Sequence, residues 1–97
     1  MRMMMRVTIP VEAGNKGINE GTLPKIVMGT IERLKPESAY FTTHGGERCS
    51  YMVFDLKDPS EIPSIAEPFF QGLHAKVEFS PVMTPEDLKK GLEKSQK

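Results

Sequence analysis

The sequence predicts an α+β domain whose elements run β-α-β-β-α-β, followed by a C-terminal helix. Three observations carry this reading. Apolar residues alternate at Met3, Met5, Val7 and Ile9, the period of a half-buried strand. They repeat with helical spacing at Leu23, Ile26, Val27, Ile31 and Leu34, and again at Ile62, Ile65, Ala66, Phe69 and Phe70. Between those two stripes, Gly45-Gly46 separates two β-rich runs, and paired glycines supply the positive φ that primed hairpin turns need.

Each element has its own local cause. Pro10 closes the first strand, whose four methionines are flexible fillers of packed faces. From Glu12 to Glu20 the chain is polar and carries Gly14 and Gly17, with Gly21 just beyond, so no more than a weak helical turn is expected there. The first firm helix starts near Thr22, a suitable N-cap, with Pro24 in its first turn. Lys35-Pro36 ends it, because a residue before proline is pushed out of the helical region. The hairpin strands are expected over Ser38 to His44 and Arg48 to Leu56. In the second helix Pro63 favours Ser60 over Asp58 as the cap, Pro68 is expected to kink the helix or cut it short, and Gly72 to terminate it. A last strand is expected from about Leu73 to Met83, with Ala75, Val77 and Phe79 on one side. Thr84-Pro85-Glu86-Asp87 then reads as a strong helix start. The final helix has only Leu88 and Leu92 as apolar anchors, so it is expected to pack on an edge or a partner subunit while its Lys-rich end frays.

Totals bound the function. At 97 residues the chain is a single domain over 1–97, since two pieces would each be too small to bury a core. Thirteen basic residues balance thirteen acidic ones, so no net field draws it to nucleic acid or to an anionic membrane. No apolar run approaches the roughly 20 residues that span a bilayer, and Arg6 and Thr8 interrupt the N-terminal run that superficially resembles a signal peptide. Cys49 is the only cysteine, which excludes an internal disulfide and a thiolate metal cluster. A cytoplasmic protein is expected.

Helices between paired strands are crossovers, and two such units around a hairpin give a four-stranded antiparallel sheet with both helices on one face. This is the ferredoxin-like arrangement, whose usual spatial strand order is fourth, first, third, second. If Met5, Val7, Ile9, Ala39, Phe41 and Thr43 face the helices, the opposite face receives Met4, Arg6, Thr8, Tyr40, Thr42, His44, Tyr51 and Val53. His74, Lys76, Glu78 and Ser80 join them from the fourth strand. Met4, Tyr40, Tyr51 and Val53 make that face too apolar for comfortable exposure, so a homodimer packed sheet to sheet is expected.

In element order and size, over about Met3 to Met83, the chain resembles the dimeric α+β barrel superfamily. It is also similar to a bacterial family within that superfamily, through Leu34-Lys35-Pro36-Glu37-Ser38-Ala39-Tyr40-Phe41 and through Pro81-Val82-Met83-Thr84-Pro85-Glu86-Asp87-Leu88. These strings mark structural boundaries and name no activity. The resemblance implies ferredoxin-like domains paired face to face around an internal cavity. Members include cofactor-free monooxygenases, muconolactone-type isomerases, haem-degrading and haem-dependent enzymes and ligand sensors, and fold does not choose among them.

Arg6 and Glu78 are the preferred constellation. Placed across neighbouring strands inside a dimer cavity, the arginine can orient a carboxylate or enolate and the glutamate can act as a base. The plainer reading is a cross-strand ion pair. Tyr40, Thr42 and Tyr51 offer hydroxyls around an apolar floor, or simply line an interface. His44 beside the turn and His74 near the last strand are weaker candidates for a proton shuttle, and each is more readily an exposed loop histidine. No metal site and no cofactor are expected, and Cys49 reads as a strand residue rather than a nucleophile. The RNA-recognition domain shares the element order, but Glu47-Arg48-Cys49-Ser50-Tyr51-Met52-Val53-Phe54 lacks the glycine and the first stacking aromatic of its third strand. The expected function is therefore a homodimer holding a small anionic or aromatic ligand between its sheets. The alternatives are a cofactor-independent isomerase or monooxygenase, and a pure interaction module.

Overall fold

The alternating N-terminal segment becomes β1 (Arg2–Ile9) in a computed structural model of the chain, which describes residues 1–96. It is followed by α1 (Val11–Glu20), α2 (Thr22–Leu34), β2 (Ser38–His44), β3 (Glu47–Asp55), a 3-10 turn at Pro59–Glu61, α3 (Ile62–Leu73), β4 (Lys76–Pro81) and α4 (Pro85–Ser95). All strand pairs are antiparallel, in the spatial order β2-β3-β1-β4. The result is an α+β architecture compatible with a ferredoxin-like fold. Among the described residues no helix is long and apolar enough to cross a membrane.

The core lies between one sheet face and the helices. Met3, Met5, Val7 and Ile9 are buried from β1, Met52 and Phe54 from β3, and Ile65, Phe69 and Leu73 from α3. Phe69 has no exposed surface, and burying a side chain of that size contributes about 1.5–3 kcal/mol. The hairpin turn is as expected: Gly45 and Gly46 have φ of 60° and 79°.

Five local expectations are corrected. Thr22, expected as the N-cap of α2, is instead its first residue: the N-cap is Gly21, and no side chain bonds the cap. The segment expected to form only a weak turn is a ten-residue helix, α1, because Gly14 and Gly17 are its buried positions. A Cβ on Gly17 would stand 2.7 Å from Leu73 Cδ2, so glycine here permits close packing of α1 against α3. Asp58, not Ser60, is the cap after β3: its side chain accepts from Ser60 N, and Glu61 accepts from Asp58 N. Of the two outcomes expected at Pro68, a kink or an early end, the early end does not occur: α3 runs on to Leu73. Proline removes the donor that would serve the carbonyl four residues back, that of Ser64. Arg33 Nη1 of α2 donates to that carbonyl at 3.2 Å, and Arg33 Nη2 donates to Ser64 Oγ at 2.8 Å. Finally, α3 continues through Gly72 and is ended by His74, which takes the left-handed conformation (φ 50°) and donates its N–H to Phe70 O.

The C-terminal helix begins as expected. Thr84 caps it through Asp87 N, Asp87 returns the bond to Thr84 N, and Pro85 occupies the first position. Among the described residues, however, α4 makes no extended contact with another element, and Leu88 and Leu92 are exposed. Lys97, at the end expected to fray, lies outside the described residues. With this arm the radius of gyration is 15.4 Å, against about 12.5 Å for a compact chain of this length.

Candidate functional site

Sheet register decides which side chains meet on the face away from the helices. Paired residues of adjacent strands point to the same side, and Tyr40 pairs Tyr51, Tyr51 pairs Arg6, and Arg6 pairs Glu78. These four residues form one transverse row across all four strands. Beside it runs Thr42–Cys49–Thr8–Lys76, and on its other flank Ser38–Val53–Met4–Ser80. The row therefore has a polar neighbour on one side and, on the other, one whose two central residues, Val53 and Met4, are apolar.

Arg6 and Glu78 are bonded in a forked geometry. Arg6 Nη2 donates to Glu78 Oε1 at 2.8 Å and to Oε2 at 3.0 Å, and Nε donates to Oε1 at 3.2 Å. The Arg6 side chain is 31% exposed and that of Glu78 is 54% exposed, so the pair is reachable from solvent in the single chain. Glu78, foremost through its hydrogen bond, and the Tyr51 hydroxyl beside it hold the Arg6 guanidinium above its ordinary pKa, which keeps it cationic. Formal charges on the two polar rows are Arg6 and Lys76 against Glu78, an excess of one positive charge. Chemically, the arrangement offers a fixed cation with Nη1 not taken by Glu78, a half-buried tyrosine next to it, an exposed tyrosine at the edge, and an apolar strip from Met4 and Val53.

Of the sequence-predicted residues, Arg6, Tyr40, Tyr51 and Glu78 are brought into line, with Thr42 one row away on the same face. His44 lies further along β2, paired with Glu47 and exposed. Arg48, two residues beyond the Gly-Gly turn, belongs to the helix side: Nη2 donates to Asn15 Oδ1 at 2.9 Å and Nη1 to Val11 O at 3.3 Å. His74 was expected at the start of the last strand and on this face. It is the C-terminal cap of α3, and β4 begins only at Lys76, so His74 is not part of the row. Thr8 and Cys49 were not singled out as site residues. Both are buried beside the row, with Thr8 Oγ1 donating to Cys49 Sγ at 3.8 Å, and the alternation of β1 placed Thr8 there.

Two cavities formed by the described residues lie away from this face. One of about 290 Å³ runs between α2 and α3 over Ile26, Leu34, Ile65 and Pro68, and another of about 490 Å³ sits in the elbow from Pro81 to Leu88. In comparison with known proteins, no family model matches the chain and no curated protein matches it.

Proposed function

We propose that this chain works as a homodimer packed sheet to sheet, and that it holds a small carboxylate with an aromatic or apolar body between the two sheets, on Arg6. The observation that supports this reading is the transverse row Tyr40–Tyr51–Arg6–Glu78 on the sheet face away from the core helices. Guanidinium is the group best suited to a carboxylate, since its planar fork donates in pairs. A second copy over Met4, Tyr51 and Val53 removes apolar surface from water and lowers the dielectric around Arg6, which strengthens its hold on an anion. The reading belongs with the dimeric α+β barrel resemblance, and a single buried Cys49 suits a cytoplasmic setting.

The test is a panel of small carboxylates, benzoate, salicylate and acetate, titrated into the isotope-labelled protein. Shifts centred on Arg6, Tyr51 and Met4 are expected for the aromatic acids, and Arg6→Gln is expected to weaken binding by about tenfold or more. Panel members that perturb none of the row, or bind Arg6→Gln as well as wild type, contradict the reading.

A second reading is favoured by one contact. Glu78 stands within hydrogen-bond distance of the same guanidinium that would seat the ligand, so a bound enolisable acid would lie beside a carboxylate able to take its proton. A cofactor-independent isomerase or monooxygenase uses such a base. Glu78→Gln separates the two: turnover lost with affinity kept identifies a base, and unchanged turnover removes Glu78 from the chemistry.

A further inference from the structure

The two edges of the sheet differ in a way that points to a partner. β4 is six residues long, carries Lys76 and Glu78, and ends in Pro81, which are the devices that discourage a foreign strand from pairing. The other edge, β2, has none of them. Its seven residues, Ser38-Ala39-Tyr40-Phe41-Thr42-Thr43-His44, contain no Asp, Glu, Lys, Arg or Pro and are rich in β-branched and aromatic types. Among the described residues its open side is unpaired and no helix covers it: Phe41 points to the helix side of the sheet yet is 57% exposed, and Tyr40 on the opposite side is 70% exposed. Two large aromatics on opposite faces of one bare edge are covered together only by something laid alongside the strand.

The backbone phase identifies what fits. The two-residue Gly45-Gly46 turn makes His44 and Glu47 a hydrogen-bonded pair, so Tyr40 and Thr42 also bond β3 while Ala39, Phe41 and Thr43 turn their N–H and C=O groups outward. Those three residues are spaced evenly about Phe41. A second β2, antiparallel and related by a two-fold axis through Phe41, therefore meets outward group with outward group: Phe41 on Phe41, Ala39 on Thr43. With no Asp, Glu, Lys or Arg in the segment, self-pairing sets none of these charges against its like, whereas a charged partner strand would find no complement.

We infer that β2 is an interface for a second copy of this chain, joining two sheets edge to edge into one of eight strands. This contact is separate from the sheet-to-sheet packing proposed above, and each stands without the other.

Light scattering over a concentration series, with amide exchange on the same samples, tests it. Thr43→Pro removes one outward N–H without touching the β3 ladder, and Thr43→Val is its control. The wild-type mass is expected to halve in Thr43→Pro and to stay unchanged in Thr43→Val. In the wild type the amides of Ala39, Phe41 and Thr43 are expected to be protected and to lose protection on dilution. If Thr43→Pro fails to fold, the wild-type exchange decides alone. An unchanged mass in folded Thr43→Pro, or the three amides exchanging as freely as a loop when β1 is protected, overturns the proposal. Protection that appears only on adding another, extended peptide also overturns it, since the occupant is then not this chain. A face variant such as Val53→Lys leaves the edge contact intact, so loss of the sheet-to-sheet dimer is read separately.

Discussion

Gly17 and Gly29 both lie in helices, and the same substitution acts on them with opposite sign. A methyl on Gly17 would press on Leu73, which has no exposed surface, and on Leu23, whose Cβ is 3.1 Å away. Overpacking of this kind costs about 1–3 kcal/mol, which exceeds the gain of roughly 1 kcal/mol from replacing a helical glycine. At Gly29 an added methyl meets nothing within 4 Å, so only the helical gain remains. Urea denaturation is expected to show Gly17→Ala destabilised and Gly29→Ala stabilised by about 0.5–1 kcal/mol. Asp55 gives the pH counterpart. The amino group of Met1 and then Lys57 hold its pKa down from 3.8 to about 2. A depressed folded pKa means that the stabilisation is complete above the ordinary carboxylate value and is lost as pH falls from about 3.8 towards 2. Its exposure keeps the effect small. A carboxyl-carbon NMR titration is expected to place the Asp55 midpoint near 2, and Lys57→Ala is expected to raise it.

At the scale of elements, α3 survives an internal proline because α2 supplies the missing donor. Arg33→Ala removes the bonds to Ser64 O and Oγ and is expected to cost about 0.5–1.5 kcal/mol. Amide exchange should rise first in the middle of α3 rather than in β1. The same elements show what the sequence revealed. β2 was legible to the residue, since its bounds are set by Pro36 before it and the Gly-Gly turn after it. The face assignments of β1 and β3 followed from alternation, and with them two members of the transverse row, Arg6 and Tyr51. The existence of α1 was not legible, because glycine lowers local helix propensity and the compensating fit against Leu73 is tertiary. His74 was misplaced for a related reason: a left-handed helix cap occupied by a residue other than glycine leaves no compositional mark. The ladder neighbour of Arg6 on β4 was legible only once the strand order was assumed, whereas the forked bond itself belongs to the structure.

The whole molecule presents unsatisfied surfaces. One sheet face carries a cation and an apolar strip, one edge is bare, and α4 projects with Leu88 and Leu92 in water. A chain of this size has little core to spare, and the association proposed above would cover such surfaces. The most direct measurement of the central proposal is the solution mass of wild type beside Val53→Lys. Val53 is half-exposed on the uncovered face, next to Met4, so a lysine there spares the core and places a charge between the two sheets. Wild type is expected at a mass of at least twice 10.9 kDa, and Val53→Lys at half the wild-type value. A wild-type particle of 10.9 kDa at concentrations of tens of micromolar, or a folded Val53→Lys with undiminished mass, contradicts it.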